Sequence, residues 1–285
     1  MTPFAEVIGE PVGQSKSPLI HGFWLQKLGL RARYDRTAIK EERLPTYLER
    51  RRADKDWRGC NVTMPLKQAV LPLLADHLSA EAGTIGAVNS IVRTSAGELS
   101  GHNTDASGFL EPLLPLLAQR HWFRMARVIG TGGAARAIVH ALDHHGFTIV
   151  LAGRDPAKAR NLLDELAPQG EHHAVHLDHF TAPTDFAFDD RDGCLDLVVN
   201  ASPLGMRGQP LLAFDWSHAP PGSIAYDIVT DPVRTPFLEA AEKARFRTID
   251  GLAMLIGQAA LAFELFFGEP PPRQYDAELR ELLEQ

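Results

Sequence analysis

The motif Asn61-Val62-Thr63-Met64-Pro65-Leu66-Lys67 sets an amine just past a stretch of strand character, and Gly101-His102-Asn103-Thr104-Asp105 sets a carboxylate after another. Parallel sheets deliver reacting groups from such strand ends. A lysine beside an aspartate can pass a proton to or from an oxygen and stabilise the negative charge that develops there. A lysine by itself would read as a surface cation. Ser15-Lys16-Ser17-Pro18 lies between a strand and a helix, where two short hydroxyls suit a carboxylate near a helix start. Helix capping accounts for either serine alone. Asn89, after Gly86-Ala87-Val88, adds an amide to the same half of the chain.

A second constellation is built from backbone. Val128-Ile129 runs straight into Gly130-Thr131-Gly132-Gly133-Ala134-Ala135-Arg136, and Ile138, Val139 and Leu142 continue at helical spacing. One glycine permits the tight turn, another lets a pyrophosphate approach the main chain, and Ala135 allows close helix–strand packing. The free N–H groups at the helix start then face the phosphates. The unit from Arg127 to Asp155 is thus predicted to bind a nicotinamide or flavin dinucleotide. An NAD-specific unit commonly ends its second strand, about 20 residues on, in an acidic residue. Here the strand ends in Ala152-Gly153-Arg154, with Lys158 one helical turn further, which favours the 2′-phosphate of NADP. Asp155 opposes that preference if its carboxylate points inward.

These groups need a scaffold, and periodicity supplies one. Ala5–Gly9, Tyr34–Ile39 and Gly59–Thr63 read as strands, Pro18–Leu28 and Glu42–Arg52 as helices, and Val88–Arg93 with Glu98–His102 as a hairpin about Ser95-Ala96-Gly97. The first half is therefore α/β with an antiparallel element. After a helix over Phe109–Ala118, strands near Arg127–Ile129, Thr148–Ala152, Leu195–Asn200 and Ser223–Ile228 alternate with helices, the layout of a nucleotide domain. Leu252–Phe267 is strongly apolar, stops at Gly268-Glu269-Pro270, and is expected to pack back on the first half. The fold class is α/β, with an N-terminal substrate-binding domain, a Rossmann-type domain and a cleft between them. The expected boundaries are 1–104 with 251–285 for the first and 105–250 for the second. Asp105 falls at that junction.

Composition narrows the alternatives. The formal net charge of −7 disfavours a nucleic-acid partner, and no segment offers about 20 uninterrupted apolar residues to a membrane. The two cysteines, Cys60 and Cys194, suggest neither a disulfide framework nor zinc. Glu171–Gly193 is rich in His and Asp but lacks helical ligand spacing, so it reads as a solvated connection and no metal is expected. With no export signal at the start, a cytoplasmic protein is expected.

Taken in order, Gly-Gln-Ser-Lys-Ser-Pro, Cys-Asn-Val-Thr-Met-Pro-Leu-Lys, Gly-Ala-Val-Asn, Asn-Thr-Asp, the Gly130 turn, Asn200-Ala201-Ser202-Pro203, Tyr226-Asp227, Thr235-Pro236-Phe237-Leu238 and Asp250-Gly251-Leu252-Ala253-Met254-Leu255 resemble the shikimate dehydrogenase family over essentially the whole chain. The resemblance implies reversible hydride transfer from NADPH to the 3-keto group of 3-dehydroshikimate, giving shikimate on the route to aromatic amino acids. Lys67 and Asp105 would be the catalytic pair. Ser15 and Ser17 would hold the carboxylate, with Thr63, Lys67, Asn89, Asp105, Tyr226 and Gln258 around it and the ring hydroxyls. For the cofactor, the resemblance implies Gly130, Thr131, Gly132, Gly133 and Ala134 at the pyrophosphate, Gly153, Arg154, Asp155 and Lys158 at the adenosine phosphate, and Ile224 and Gly251 beside the nicotinamide. Many members have Asn-Arg-Thr where this chain has Gly153-Arg154-Asp155, and glycine where it has Ala253. A quinate/shikimate dehydrogenase using NAD and a repurposed paralogue are the alternatives within the fold. Family members occur as monomers and as dimers, which leaves a homodimer open.

Overall fold

The computed structural model describes residues 2–188 and 191–285. It divides into two compact units, Met1–Asp105 with Ile256–Gln285, and Ala106–Leu255.

In the first unit the chain runs β1 (Phe4–Gly9), α1 (Ser17–Leu28), β2 (Arg33–Ala38), α2 (Leu44–Ala53), β3 (Trp57–Val62), α3 (Leu66–Ala69), α4 (Ala80–Ile85), β4 (Ser90–Arg93) and β5 (Leu99–His102). The sheet order is β2-β1-β3-β4-β5. β1 is parallel to β2 and β3, whereas β4 is antiparallel to both β3 and β5, which is the expected hairpin. β1 is buried at every residue and β3 at all but Arg58, as expected of strands inside a sheet. The charged helix expected over 42–52 starts with a 3₁₀ turn, Glu41–Arg43, before Pro45 enters the first turn of α2. Leu44, Tyr47 and Leu48 of α2 pack with Phe4, Trp57 and Cys60 on one side of the sheet.

The second unit contains α5 (Asp105–Leu110), α6 (Leu114–Leu117), β6 (Phe123–Ile129), α7 (Gly133–His144), β7 (Thr148–Gly153), α8 (Pro156–Leu166), β8 (His173–His176), β9 (Cys194–Asn200), β10 (Ile224–Asp227), α9 (Pro236–Lys243) and β11 (Arg247–Ile249). Its six strands are parallel in the order β11-β10-β9-β6-β7-β8, the doubly wound Rossmann arrangement. The single helix expected over 109–118 is interrupted by a 3₁₀ turn at Glu111–Leu113, since Pro112 and Pro115 cannot donate to an α-helical ladder. α10 (Gly251–Phe267) then carries the chain from the second unit into the first, which α11 (Asp276–Leu283) completes. Within the first unit Ala262 and Phe266 of α10 join the cluster around Ala5, Val7 and Tyr34.

Glu171–Gly193 is not simply a solvated connection. β8 lies within it and pairs with β7, and the buried His172 ring accepts from the Ile149 N–H at 3.0 Å while its other nitrogen meets the Asp143 carboxylate at 3.1 Å. A four-residue edge strand with two polar ends carries too little alternation to be recognised before its partner is known. Asp189 and Asp190 of that segment lie outside the described residues.

Candidate active site

Lys67 opens from the short helix α3, just beyond β3, and its ammonium is 2.5 Å from Asp105 Oδ2. Both side chains are well sheltered, 15% and 5% exposed, so their attraction is stronger than that of a surface pair. Asn89 Nδ2 donates to the other carboxylate oxygen, Asp105 Oδ1, at 2.9 Å, and to Thr104 Oγ1 at 2.8 Å. The Asn89 oxygen accepts from the Thr104 N–H at 2.8 Å, which leaves one orientation for its amide. The turn before α5 is held as well: Asp105 N–H donates to Asn103 Oδ1, and Asn103 Nδ2 donates to the Ala87 carbonyl, each at 2.9 Å. The carboxylate is thus fixed at both oxygens. The ammonium has three N–H donors and spends one on Asp105, so a substrate oxygen can take another.

Ser15 and Ser17 form a second polar pair in the same unit. Ser15 Oγ donates to Ser17 Oγ at 3.2 Å, and the Ser17 N–H reaches Ser15 Oγ at 3.3 Å. The N-cap of α1 is Lys16, without a side-chain cap, so the hydroxyls are not consumed at the helix start in the usual way. Arg36 clamps the Ser15 carbonyl through Nε at 3.1 Å and Nη2 at 2.7 Å, bringing a positive charge beside the serines. Thr63 follows β3 and lies against Gly9, where a Cβ would come within 2.4 Å of the threonine methyl. Gln258 is buried on α10.

In the second unit the register levels Ile129 with Ala152 and Asn200, and Asn200 with Asp227, so four strands present their carboxyl ends together. Gly130 has φ +123°, and a Cβ there would meet the Ala201 carbonyl oxygen at 2.6 Å, so the turn itself demands glycine. Gly132 is different. It has φ −90° and nothing within 4 Å of where its Cβ would be, so no neighbour within the protein requires glycine there. Open space at the N-terminus of a twelve-residue helix, lined by Thr131, Gly132, Gly133 and Ala134, fits a pyrophosphate. Gly153 lies against the Thr131 methyl, and Arg154 and Lys158 are exposed beyond β7.

Three expectations change. Asp155 does not point its carboxylate toward the adenosine side: it is the N-cap of α8, and its Oδ1 accepts from Ala157 N–H at 2.9 Å and Lys158 N–H at 3.3 Å. Ile224 is 2% exposed and begins β10, three residues before the level of Asn200, at the wrong end of the strand for a nicotinamide contact. Tyr226 is fully buried, stacked on Phe109 with ring centroids 4.8 Å apart, and burial raises its phenol well above the usual range. It belongs to the core of its unit and is not presented to a substrate. Gly251, by contrast, is held at the start of α10 by the Ile228 and Val229 carbonyls, which a Cβ would meet at 2.6 and 2.3 Å.

Sequence reasoning passed over Thr104 and Asn61, although both stand inside motifs it singled out. Asn61 Oδ1 accepts from the Tyr34 hydroxyl at 2.5 Å, and its Nδ2 donates to Ser90 Oγ at 3.0 Å. It also passed over Asp227, whose buried carboxylate accepts from Asn200 Nδ2, Val229 N–H and the Thr235 hydroxyl, and which burial raises to about 6. The signal was their place in those motifs, beside the ends of strands.

The chain is similar to known proteins along nearly its whole length. Residues 7–91 match the model of the shikimate dehydrogenase substrate binding domain, and residues 251–278 that of the shikimate 5'-dehydrogenase C-terminal domain. A shikimate dehydrogenase (NADP(+)) of Sphingopyxis alaskensis is 50% identical over 283 residues, covering 99% of this chain and 97% of that protein. The crystal structure of shikimate 5-dehydrogenase from Thermus thermophilus, in complex with NADP(H) and shikimate, is 35% identical with a TM-score of 0.80 and covers 99% of this chain and 100% of its own. Quinate dehydrogenase from Corynebacterium glutamicum, in complex with NAD, is 32% identical with a TM-score of 0.81, covering 99% of each chain. Sharing half its residues with one such relative along nearly its full length, the chain belongs to the shikimate dehydrogenase family.

Proposed function

We propose that this protein is an NADP-dependent shikimate dehydrogenase that reversibly reduces 3-dehydroshikimate to shikimate in aromatic amino-acid biosynthesis. The observation that carries the reading is the sheltered Lys67–Asp105 pair, with Asn89 fixing the carboxylate oxygen that the lysine does not use. NADPH, when bound, supplies the hydride. The Lys67 ammonium hydrogen-bonds to the ketone oxygen, stabilises the charge that grows on it, and donates the proton that completes the alcohol. In the oxidative direction the neutral amine takes that proton back. Asp105 directs the ammonium and accepts from a ring hydroxyl, so its task is alignment as much as charge. Ser15 and Ser17 donate to the ring carboxylate, in the field of Arg36, with Thr63 and Gln258 as further polar contacts. Gly132 leaves the backbone N–H groups of the α7 start open to the pyrophosphate, and Arg154 with Lys158 meets the 2′-phosphate that distinguishes NADP.

The test is reduction of NADP⁺ by purified protein with shikimate and with quinate, repeated with NAD⁺. Shikimate with NADP⁺ should give the highest kcat/KM. A quinate preference, or NAD⁺ matching NADP⁺, would move the protein to the quinate branch of the fold, and no shikimate-dependent reduction with either nucleotide would end the reading. The same reading includes action in the cytoplasm and leaves open a homodimer, which sedimentation decides.

A further inference from the structure

A line of buried side chains whose hydrogen-bond directions all agree runs from Tyr34 to the Lys67–Asp105 pair. The Tyr34 hydroxyl donates to Asn61 Oδ1 at 2.5 Å; Asn61 Nδ2 donates to Ser90 Oγ at 3.0 Å; Ser90 Oγ donates to Asn89 Oδ1 at 3.1 Å; and Asn89 Nδ2 donates to Asp105 Oδ1 at 2.9 Å. Tyr34, Asn61, Ser90 and Asn89 are each buried, between 0% and 7% exposed. Burial raises the phenol, and the Ser17 hydroxyl acts on it in the opposite sense. Turning Asn61 would set its oxygen against the Asn89 carbonyl, and turning Asn89 would set its oxygen against the Asp105 carboxylate and its amide hydrogens against the Thr104 N–H, so the direction is set along the line.

Other features hold the line in one state. The His21 ring stacks on Tyr34, with centroids 4.0 Å apart and planes 1° from parallel, and burial lowers His21 to about 3, so the histidine stays neutral. Burial keeps the Tyr34 phenol protonated, and therefore a donor. Asn61 Nδ2 also reaches the Asn89 carbonyl at 3.3 Å, tying β3 to the residue before β4.

We propose that Tyr34, Asn61 and Ser90 are positioning residues for the Lys67–Asp105 pair, holding in one orientation the amide that fixes the carboxylate aligning the lysine. The link rests on the function proposed above. Through this line Asn61 and Ser90 hold Asn89, and Asn89 holds Asp105. A break in the line is thereby felt in turnover more than in binding.

The experiment is a double-mutant cycle with Tyr34→Phe, Ser90→Ala and the double variant, measured as kcat, KM for shikimate and for NADP⁺, and the pH profile of kcat. A line acting in series predicts that each single variant lowers kcat about tenfold, shifts its pH profile, and changes both KM values less than about threefold. The double variant should be no slower than the worse single one, because either break interrupts the same line. Losses that multiply, or single variants with unchanged kcat and pH profile, overturn the proposal. If Tyr34→Phe does not fold, Ser90→Ala decides alone: an unchanged kcat and profile overturns it. Wild-type protein without shikimate-dependent reduction would instead sink the function itself. Normal wild-type activity that Lys67→Ala abolishes, together with an additive cycle, would sink only the link.

Discussion

Asp227 offers a test of the second unit that needs no ligand. Its carboxylate is fully buried at the carboxyl end of β10, joins Asn200 at the end of β9 to Thr235 at the start of α9, and has its pKa raised from 3.8 to about 6 by burial. A raised acid pKa means that the native state holds the proton more tightly than the unfolded chain. Below pH of about 4 both states are protonated and the group has no effect on stability. Between about 4 and 6 the unfolded chain releases its proton first, so stability falls as pH rises, and above 6 the loss is constant. A shift of about 2 units corresponds to about 3 kcal/mol. Asp227→Asn removes this dependence while leaving a pH-independent offset from altered hydrogen bonding. At about 2–4 °C per kcal/mol, the melting temperature of the variant minus that of wild type should therefore rise by about 6–12 °C between pH 4 and pH 7. Thermal melts at four or five pH values measure it, and all other titrating groups cancel in the difference. A difference that stays flat across this range would refute the claim that burial outweighs the three donors around the carboxylate.

Other expectations concern the chemistry. Lys67→Ala should lose about a hundred- to ten-thousandfold in kcat while NADP⁺ still binds, as followed by steady-state kinetics and fluorescence titration; near-normal turnover refutes the assignment. Gly132→Ala should fold, with a melting temperature lowered by a few degrees, yet lose nucleotide binding, since the new methyl occupies only space open to a phosphate. Gly130→Ala should instead destabilise the protein itself, because its φ of +123° and the Ala201 carbonyl at 2.6 Å leave no room. Arg154→Ala should raise KM for NADP⁺ about ten- to hundredfold and leave NAD⁺ nearly unchanged. Asp155→Asn should alter the NADP⁺/NAD⁺ ratio less than about threefold, because its carboxylate serves the α8 cap; a larger gain in NADP⁺ efficiency would show that its charge reaches the phosphate.

The alternation of apolar runs with helical spacing was enough to predict two α/β halves, the Gly130 turn and the hairpin of β4 and β5, because these depend on short-range period and turn chemistry. Lys67, Asp105, Asn89, Ser15 and Ser17 were legible as candidates for the same reason, each standing in a short motif at a strand end. The edge strand β8 and the three-residue strand β11 were not, since their few residues acquire strand geometry from the neighbours they pair with.

Which way a side chain faces was decided elsewhere. Tyr226 and Ile224 carry residue types suited to a ligand site, yet the register of β10 buries both in the unit's core. Asp155 looked like a charge facing the cofactor, and the two free N–H groups of α8 claimed it instead. Tyr34, Asn61, Ser90 and Asn89 lie up to 56 residues apart in the chain and form one directed line only because β2, β3 and β4 belong to one sheet. Local sequence determines which groups exist and the element each stands on. Only tertiary pairing determines their distances, because register across a sheet is a property of two strands at once and flips every side chain with a shift of one residue.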